Sequence, residues 1–287
     1  MRWGGNGPPA VGWLAGAGDE RSGPLAYGQR LAFTGLGGRT CLGVRRAGWR
    51  TPCPAAAPLP GRTAGAQCPD CARLDRSFSV AADTNAADPR PYRVYLAWFG
   101  PGLVKVGITA EERGPARLLE QGAVTWSWLG RGPLMAARRT EELLRAALGV
   151  PDRIAYARKR GVRHRLPPAA ERAGEVAGLH ARATALPGRP DSLLPLPCEV
   201  VDHAGVFGLE ALERARPARV LERLTEGGTV AGVLVAAAGP DLHLADGLVV
   251  DTRLLAGWGL TAAGPGAVTT VPTAVLAVPE PPQEGLF

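Results

Sequence analysis

The chain has 287 residues, of which 46% are hydrophobic and 21% are charged, so it is long enough for two small domains with hydrophobic cores. Its formal net charge of +7 favours a polyanionic partner such as nucleic acid, and a solvated arginine-rich surface is the alternative. No segment approaches the ~20 consecutive apolar residues of a membrane-spanning helix. The first apolar patch is broken by glycine and proline, which argues against a secretory signal. We therefore expect a cytoplasmic protein with no membrane partner.

The N-terminal region, residues 1–39, is rich in glycine and proline around a few apolar residues. We predict that it is poorly ordered apart from one or two short strands within residues 23–36.

Four of the five cysteines fall within the next region, residues 40–90. The last two form a Cys-x-x-Cys motif, a spacing that lets two thiolates reach one tetrahedral Zn²⁺, and the other two lie upstream within reach of a loop-rich fold. Neighbouring arginines favour the thiolate, and several prolines argue against regular structure, so the region needs a metal to hold it together. The pattern predicts a structural zinc site formed by Cys41, Cys53, Cys68 and Cys71, with free or redox-active cysteines as the alternative.

The central region, residues 91–150, has the pattern of strand, turn, strand, helix, strand, helix. Residues 93–98 and 103–108 are apolar and flank a turn at Pro101 and Gly102, which predicts a hairpin. A helix is predicted to run through Arg117 and to end at Gly122. Residues 124–129 alternate as a third strand, and apolar residues recur at helical spacing over 134–148.

This region resembles the GIY-YIG nuclease superfamily, whose core is a small three-stranded sheet flanked by helices. The first tyrosine motif resembles Val94-Tyr95-Leu96, and the second resembles Val104-Lys105-Val106-Gly107, with Lys105 where the family has its second tyrosine. The resemblance places the family's helical arginine at Arg117 and its glutamate at Glu141, with Glu142 as the fallback. The same order of elements with the Gln-Gly-Ala ending of the helix also resembles an uncharacterised bacterial family that has a cysteine cluster before such a segment.

The resemblance implies that Tyr95 helps to activate water, that Lys105 and Arg117 contact phosphate, and that Glu141 holds Mg²⁺ or Mn²⁺. Charge builds up on a phosphodiester as it is attacked, so a guanidinium and a carboxylate-bound cation would both lower the barrier.

The C-terminal half is predicted to contain three parts: a basic helical linker over 151–195, a small β-rich domain over 196–275, and a tail over 276–287. The arginines and the lysine of residues 153–165 extend the positive charge of the central region, and we expect them either to contact a nucleic-acid backbone or to form a solvated helix face. Residues 209–224 are predicted to form an amphipathic helix within the β-rich domain.

Together these patterns predict an α+β fold with a cysteine-rich zinc-binding N-terminal region, a GIY-YIG-like α/β core and a small antiparallel β region. Three functions remain open: a divalent-metal-dependent endonuclease, a DNA- or RNA-binding module without turnover, and a zinc-stapled interaction scaffold.

Overall fold

The computed structural model describes residues 1–3, 9–15, 19–46, 49–76 and 88–277, and it has a mixed α/β fold. The strands in this part of the chain are β1 (Ala10–Ala15), β2 (Asp19–Pro24), β3 (Arg30–Leu36), β4 (Val44–Arg46), β5 (Trp49–Thr51), β6 (Tyr92–Trp98), β7 (Val104–Ala110), β8 (Thr125–Gly132), β9 (Leu194–Pro195), β10 (Val201–Asp202), β11 (Arg219–Leu221), β12 (Thr229–Ala238), β13 (Asp241–Leu244), β14 (Leu248–Asp251), β15 (Gly259–Ala262) and β16 (Thr273–Val275). The helices are α1 (Pro69–Arg76), α2 (Ala116–Gln121), α3 (Leu134–Leu148), α4 (Tyr156–Val162), α5 (Ala169–Ala185) and α6 (Ala204–Phe207).

The central region forms a five-stranded sheet in the order β10, β8, β6 and β7, with β9 paired to the other end of β8. Strand β6 lies between β7 and β8 and is antiparallel to both. Helices α3 and α5 pack against this sheet, and their apolar faces bury its aliphatic side chains. The sheet therefore contains the three predicted strands, and the last helix of the predicted linker region covers part of it.

The second sheet has seven strands in the order β15, β3, β12, β13, β14, β11 and β16. Strand β3 comes from the N-terminal region and pairs with β12 over residues 30–34. The N-terminal region and the predicted β-rich domain therefore share one sheet.

The helix predicted over 209–224 does not form. The chain instead has a 3₁₀-helix, Leu209–Glu213, followed by strand β11. Pro217 accounts for the difference, because proline lacks a backbone N–H and also disfavours the helical conformation of the residue before it.

Only part of the basic segment around α4 lies at the surface. Lys159, Arg160 and Arg163 are buried, whereas Arg153, Arg158 and Arg165 are exposed. The buried arginines donate hydrogen bonds to Asp241 at the start of β13. Helix α4 therefore joins the five-stranded sheet to the seven-stranded sheet, and three of the six basic residues predicted at the surface lie in the interior instead.

No helix in the described residues is both long and apolar enough to cross a membrane. Residues 77–87 of the predicted zinc-binding region and residues 278–287 of the predicted tail lie outside the described ranges.

Candidate phosphate-binding site and metal centre

The structure brings the four predicted zinc ligands together. The Sγ atoms of Cys41, Cys53, Cys68 and Cys71 all lie within 4.8 Å of one another. Four thiolates around one zinc ion at the usual bond length would be about 3.8 Å apart, so the cluster needs only a small contraction to hold a metal. All but Cys53 are buried, which makes this a closed site of the structural kind.

Local structure supplies hydrogen bonds that favour thiolates in the cluster. The backbone N–H groups of Gly43 and Cys68 donate to Cys41 Sγ at 3.3 and 3.1 Å. Hydrogen bonding from the backbone of Ala57 lowers the pKa of Cys53 to about 7, whereas burial raises the pKa of Cys71. Because a metal ligand must be deprotonated, a bound cation would supply the charge that the buried thiolates lack. The residues present therefore fit a metal such as zinc.

Arg39 anchors the lobe that carries the cysteines, residues 40–76, to the rest of the molecule. Sequence reasoning did not identify this role of Arg39. Its side chain is only 3% exposed, and its guanidinium donates hydrogen bonds to carbonyl groups on both sides of the contact. The acceptors are Pro60, Thr63 and Gly65 in the lobe, and Arg253 and Ala256 beyond it.

Tyr95 lies in the interior of the central sheet. Its side chain is 1% exposed, and Gln121 Nε2 donates a hydrogen bond to its Oη at 2.7 Å. Gly107 is the residue opposite Tyr95 on β7, and a Cβ there would overlap the phenol. The structure thus explains the glycine of the second motif, since only glycine leaves room for the Tyr95 ring. The same packing keeps the hydroxyl group away from solvent.

Lys105 is on strand β7 and lies close to Tyr95 of the neighbouring strand β6. Its side chain is 7% exposed, its Nζ lies 5.6 Å from the centre of the Tyr95 ring, and it donates to the backbone oxygen of Asp152 at 2.9 Å. Burial, reinforced by the charge of Arg117, lowers the pKa of Lys105 to about 8, and the charge of Glu141 opposes this shift. The Lys105 amine therefore interacts electrostatically with both Arg117 and Glu141.

Arg117 and Glu141 form the more accessible part of the site. The Arg117 side chain on α2 is 40% exposed and lies 3.5 Å from the carboxylate of Glu120. Glu141 on α3 is half-buried, and burial followed by the charge of Asp152 raises its pKa. Glu141 and Asp152 line a polar cavity of about 190 Å³ together with Arg138, Glu142 and Arg145.

Tyr95, Lys105, Arg117 and Glu141 therefore share one neighbourhood, although they come from two strands and two helices. Arg117 and Glu141 each act electrostatically on both Tyr95 and Lys105. Sequence reasoning missed Gln121 and Asp152, which hold Tyr95 and Lys105 in place. The Gln-Gly-Ala ending of α2 was the only signal that could have indicated Gln121.

A protein-family model described as a protein of unknown function, DUF2797, matches residues 28–260. This match covers most of the chain, from the residues before β3 to those in β15, and includes both candidate sites. No curated protein and no solved structure matches the chain.

Proposed function

This chain belongs to the DUF2797 family of proteins of unknown function, and we propose that it binds nucleic acid through its GIY-YIG-like core. The observation that carries the proposal is the position of Arg117, whose guanidinium is partly exposed and acts electrostatically on both the Lys105 amine and the Tyr95 phenol. A planar guanidinium suits bidentate binding of a phosphate, and the amine behind it adds positive charge. The net charge of +7 would attract the polyanion over a longer distance.

Phosphodiester hydrolysis is the second candidate function. It is favoured by Glu141, a half-buried carboxylate on the cavity beside Lys105 and Asp152. Carboxylate oxygens are the ligands that Mg²⁺ and Mn²⁺ prefer, and a cation held there would neutralise charge that develops on the attacked phosphate. Activation of water by Tyr95 further requires its hydroxyl group to become accessible when substrate binds. The burial of Tyr95 is why we place binding before hydrolysis.

We assign Zn²⁺ to the four-cysteine cluster as a structural ion. Four thiolates within 4.8 Å of one another suit zinc or an iron–sulfur centre, and the closed site leaves no position open for a reactant. The ion would hold together a lobe that has few regular elements. A zinc-stapled interaction scaffold without nucleic acid is the function that remains if neither of the first two holds.

The Arg117→Ala variant should weaken oligonucleotide binding about tenfold or more, because it removes a charge-assisted hydrogen bond to phosphate. The slope of log K against log salt concentration should also become shallower by about one phosphate contact. Fluorescence anisotropy with mixed single- and double-stranded DNA and RNA oligonucleotides at several salt concentrations measures both effects.

Arg113→Ala is the matched control. Arg113 is similarly exposed and also pairs with Glu120, but it lies outside the group of four residues. Its loss should alter binding by less than about threefold, since it removes only a surface ion pair. Equal weakening in both variants would show that general surface charge, and not this site, binds the oligonucleotide. Wild-type protein that binds none of the oligonucleotides would leave only the scaffold function.

Glu141→Ala should reduce metal-dependent cleavage more than a hundredfold, because a bound cation supplies several kcal/mol of transition-state stabilisation. Without divalent metal the same variant should bind oligonucleotides at least as tightly as wild type, since it removes a negative charge beside the phosphate. Product analysis on gels with Mg²⁺, Mn²⁺ or EDTA measures the first effect. Glu171→Ala, an exposed glutamate of α5 outside the cavity that Glu141 lines, should cleave like wild type. Cleavage that survives in Glu141→Ala, or that persists in EDTA, would contradict the assignment of Glu141.

A further inference from the structure

The side chain and the backbone of Gln121 connect helix α2 to Tyr95 on one side and to Lys159 of α4 on the other. Gln121 is the last residue of α2, the helix that carries Arg117, and it is 7% exposed. Its side-chain Nε2 donates to Tyr95 Oη at 2.7 Å, and its backbone oxygen accepts a hydrogen bond from Lys159 Nζ at 3.1 Å. The residue is therefore held at both ends.

Close contacts with Lys159 and Gly239 fix the C-terminal end of α2. The Lys159 amine lies 3.7 Å from the centre of the Phe99 ring, and burial lowers the pKa of Lys159 to about 6. The helix ends at Gly122, whose φ of 70° is the left-handed conformation that favours glycine. A Cβ on Gly239 of the neighbouring sheet would lie 3.0 Å from the carbonyl carbon of Gln121, so the two chain segments are in near contact. Gln121 consequently has little freedom to move relative to Tyr95.

The Tyr95 oxygen accepts a hydrogen bond from the amide nitrogen of Gln121. The positive charge of the Arg117 guanidinium, which has no acceptor atom, also acts on the phenol. The other charged groups that act on Tyr95 are Glu141 from α3 and, across its ring, Lys105 from β7. Burial raises the pKa of Tyr95, and the charge of Arg117 and the hydrogen bond from Gln121 oppose that shift because both stabilise the phenolate.

We propose that Gln121 is a positioning residue whose amide N–H fixes the Tyr95 hydroxyl group and makes its proton easier to lose. The O–H bond breaks, the proton passes to water when the buried hydroxyl group becomes accessible, and the charge stays on an oxygen that already accepts a hydrogen bond from Gln121 and interacts with the charge of Arg117. This inference rests on the proposed function, because Tyr95 has a role in the reaction only if the core acts on phosphodiesters. The opposite amide orientation, with Gln121 Oε1 accepting the phenolic hydrogen, is the alternative that the experiment must exclude.

Two substitutions separate these orientations. Gln121→Met keeps the approximate length and volume but has no donor, and Gln121→Glu keeps the length but offers only acceptors when ionised. The chain has four tyrosines, so full-length protein labelled with 3-fluorotyrosine should give few ¹⁹F NMR signals, and the signal absent from Tyr95→Phe identifies Tyr95. Its chemical shift against pH reports ionisation of the phenol directly and needs no substrate.

The Tyr95 titration is expected to move upward by about one pH unit or more in Gln121→Met, because a hydrogen bond to a charged group is lost. It should move further in Gln121→Glu, whose carboxylate repels the phenolate. A residue with a purely structural role would not give this order, since glutamate restores a hydrogen bond that methionine lacks. Titration of Gln121→Glu at or below the wild-type pH, or of Gln121→Met at the wild-type pH, would overturn the proposal. Circular dichroism confirms that each variant is folded, and if one variant fails to fold, the other still decides between the two orientations.

Cleavage assays test the catalytic half of the inference separately. If the wild type cleaves, Gln121→Met should lower kcat about tenfold with KM unchanged, and its pH–rate profile should shift by the amount seen in the NMR titration. An unchanged kcat and profile would overturn the catalytic role even where the NMR signal moves. A wild type that does not cleave removes the endonuclease function and the catalytic role together, while the titration still decides the direction of the hydrogen bond.

Discussion

Cys68→Ser is expected to abolish zinc binding and to unfold the lobe of residues 40–76 locally. Wild-type protein should contain close to one equivalent of zinc, and the variant should contain almost none, because a serine hydroxyl is a poor ligand for this metal. Structural zinc sites in small peptides contribute roughly 10 to 16 kcal/mol of apparent binding free energy, and that energy is largely folding energy. Metal analysis of the purified chain and limited proteolysis of the lobe provide the two measurements.

The lobe has little else to hold it. Its regular elements are the short β4–β5 hairpin and α1, and its buried residues are mainly the cysteines themselves and Val44. Arg39 anchors its outer loop to the main body through hydrogen bonds to carbonyl groups, so unfolding should stop at that contact. We therefore expect new protease sites within residues 40–76 and an intact fragment from β6 onward.

Cys198→Ser is the matched control, because Cys198 is exposed and lies apart from the cluster. It should keep the full zinc content and the wild-type proteolysis pattern. Purified wild-type protein without any metal would refute the zinc assignment. Cys68→Ser with a full equivalent of zinc would show that the ion sits elsewhere.

The metal centre could be predicted from the sequence because its information is local and chemical. Cysteine is a rare residue, a Cys-x-x-Cys spacing limits the ligand geometry, and the surrounding prolines limit the alternatives. The structure confirms that the four cysteines form a cluster that could hold a metal. The β6–β7 hairpin was predictable for a similar reason, since its two apolar runs and the turn between them are contiguous.

Pairings between distant segments could not be predicted. Thr34 of β3 lies opposite Thr229 of β12, almost two hundred residues later, and no periodic pattern in either strand identifies its partner. The buried cations Lys159, Arg160 and Arg163 were misread for the same reason. A run of cations normally indicates a solvated face, and only the position of Asp241 in the folded chain reveals that Arg160 and Arg163 point inward.

The candidate phosphate site also contains both residues that the sequence could identify and residues that only the folded structure reveals. Arg117 and Glu141 carry chemistry in their side chains, so a resemblance in the order of elements was enough to single them out. Asp152 contributes a backbone oxygen to Lys105, a role that any residue type could fill. Gln121 contributes a neutral amide, which ordinarily indicates an exposed helix end. Such supporting contacts depend on the packed tertiary structure and leave almost no trace in the sequence.

The contact that holds the two sheets together leads to the second large expected effect. Asp241 is fully buried and accepts hydrogen bonds from both Arg160 and Arg163, with the shortest distances at 2.6 Å. Arg160 also pairs with Asp251 at the end of β14. The apolar core on this side of the molecule is continuous as well, since Trp98 of the five-stranded sheet belongs to the same cluster as Leu242 of the seven-stranded sheet. The two sheets should therefore unfold as one cooperative unit.

Asp241→Ala is expected to lower the free energy of unfolding by about 3 to 5 kcal/mol, because in the part of the chain that the structure describes it leaves the buried Arg163 without a carboxylate partner. Two nitrogen atoms of Arg163, Nε and Nη2, already lack a hydrogen-bond partner among the described residues, so the guanidinium cannot compensate with its remaining donors. Urea denaturation followed by circular dichroism measures the change. Asp246→Ala is the control, since Asp246 pairs with Arg219 at the surface and its loss should cost less than about 1 kcal/mol. A loss in Asp241→Ala no larger than in this control would mean that the buried pair does not join the sheets, and two separate transitions in the wild type would mean that they fold independently.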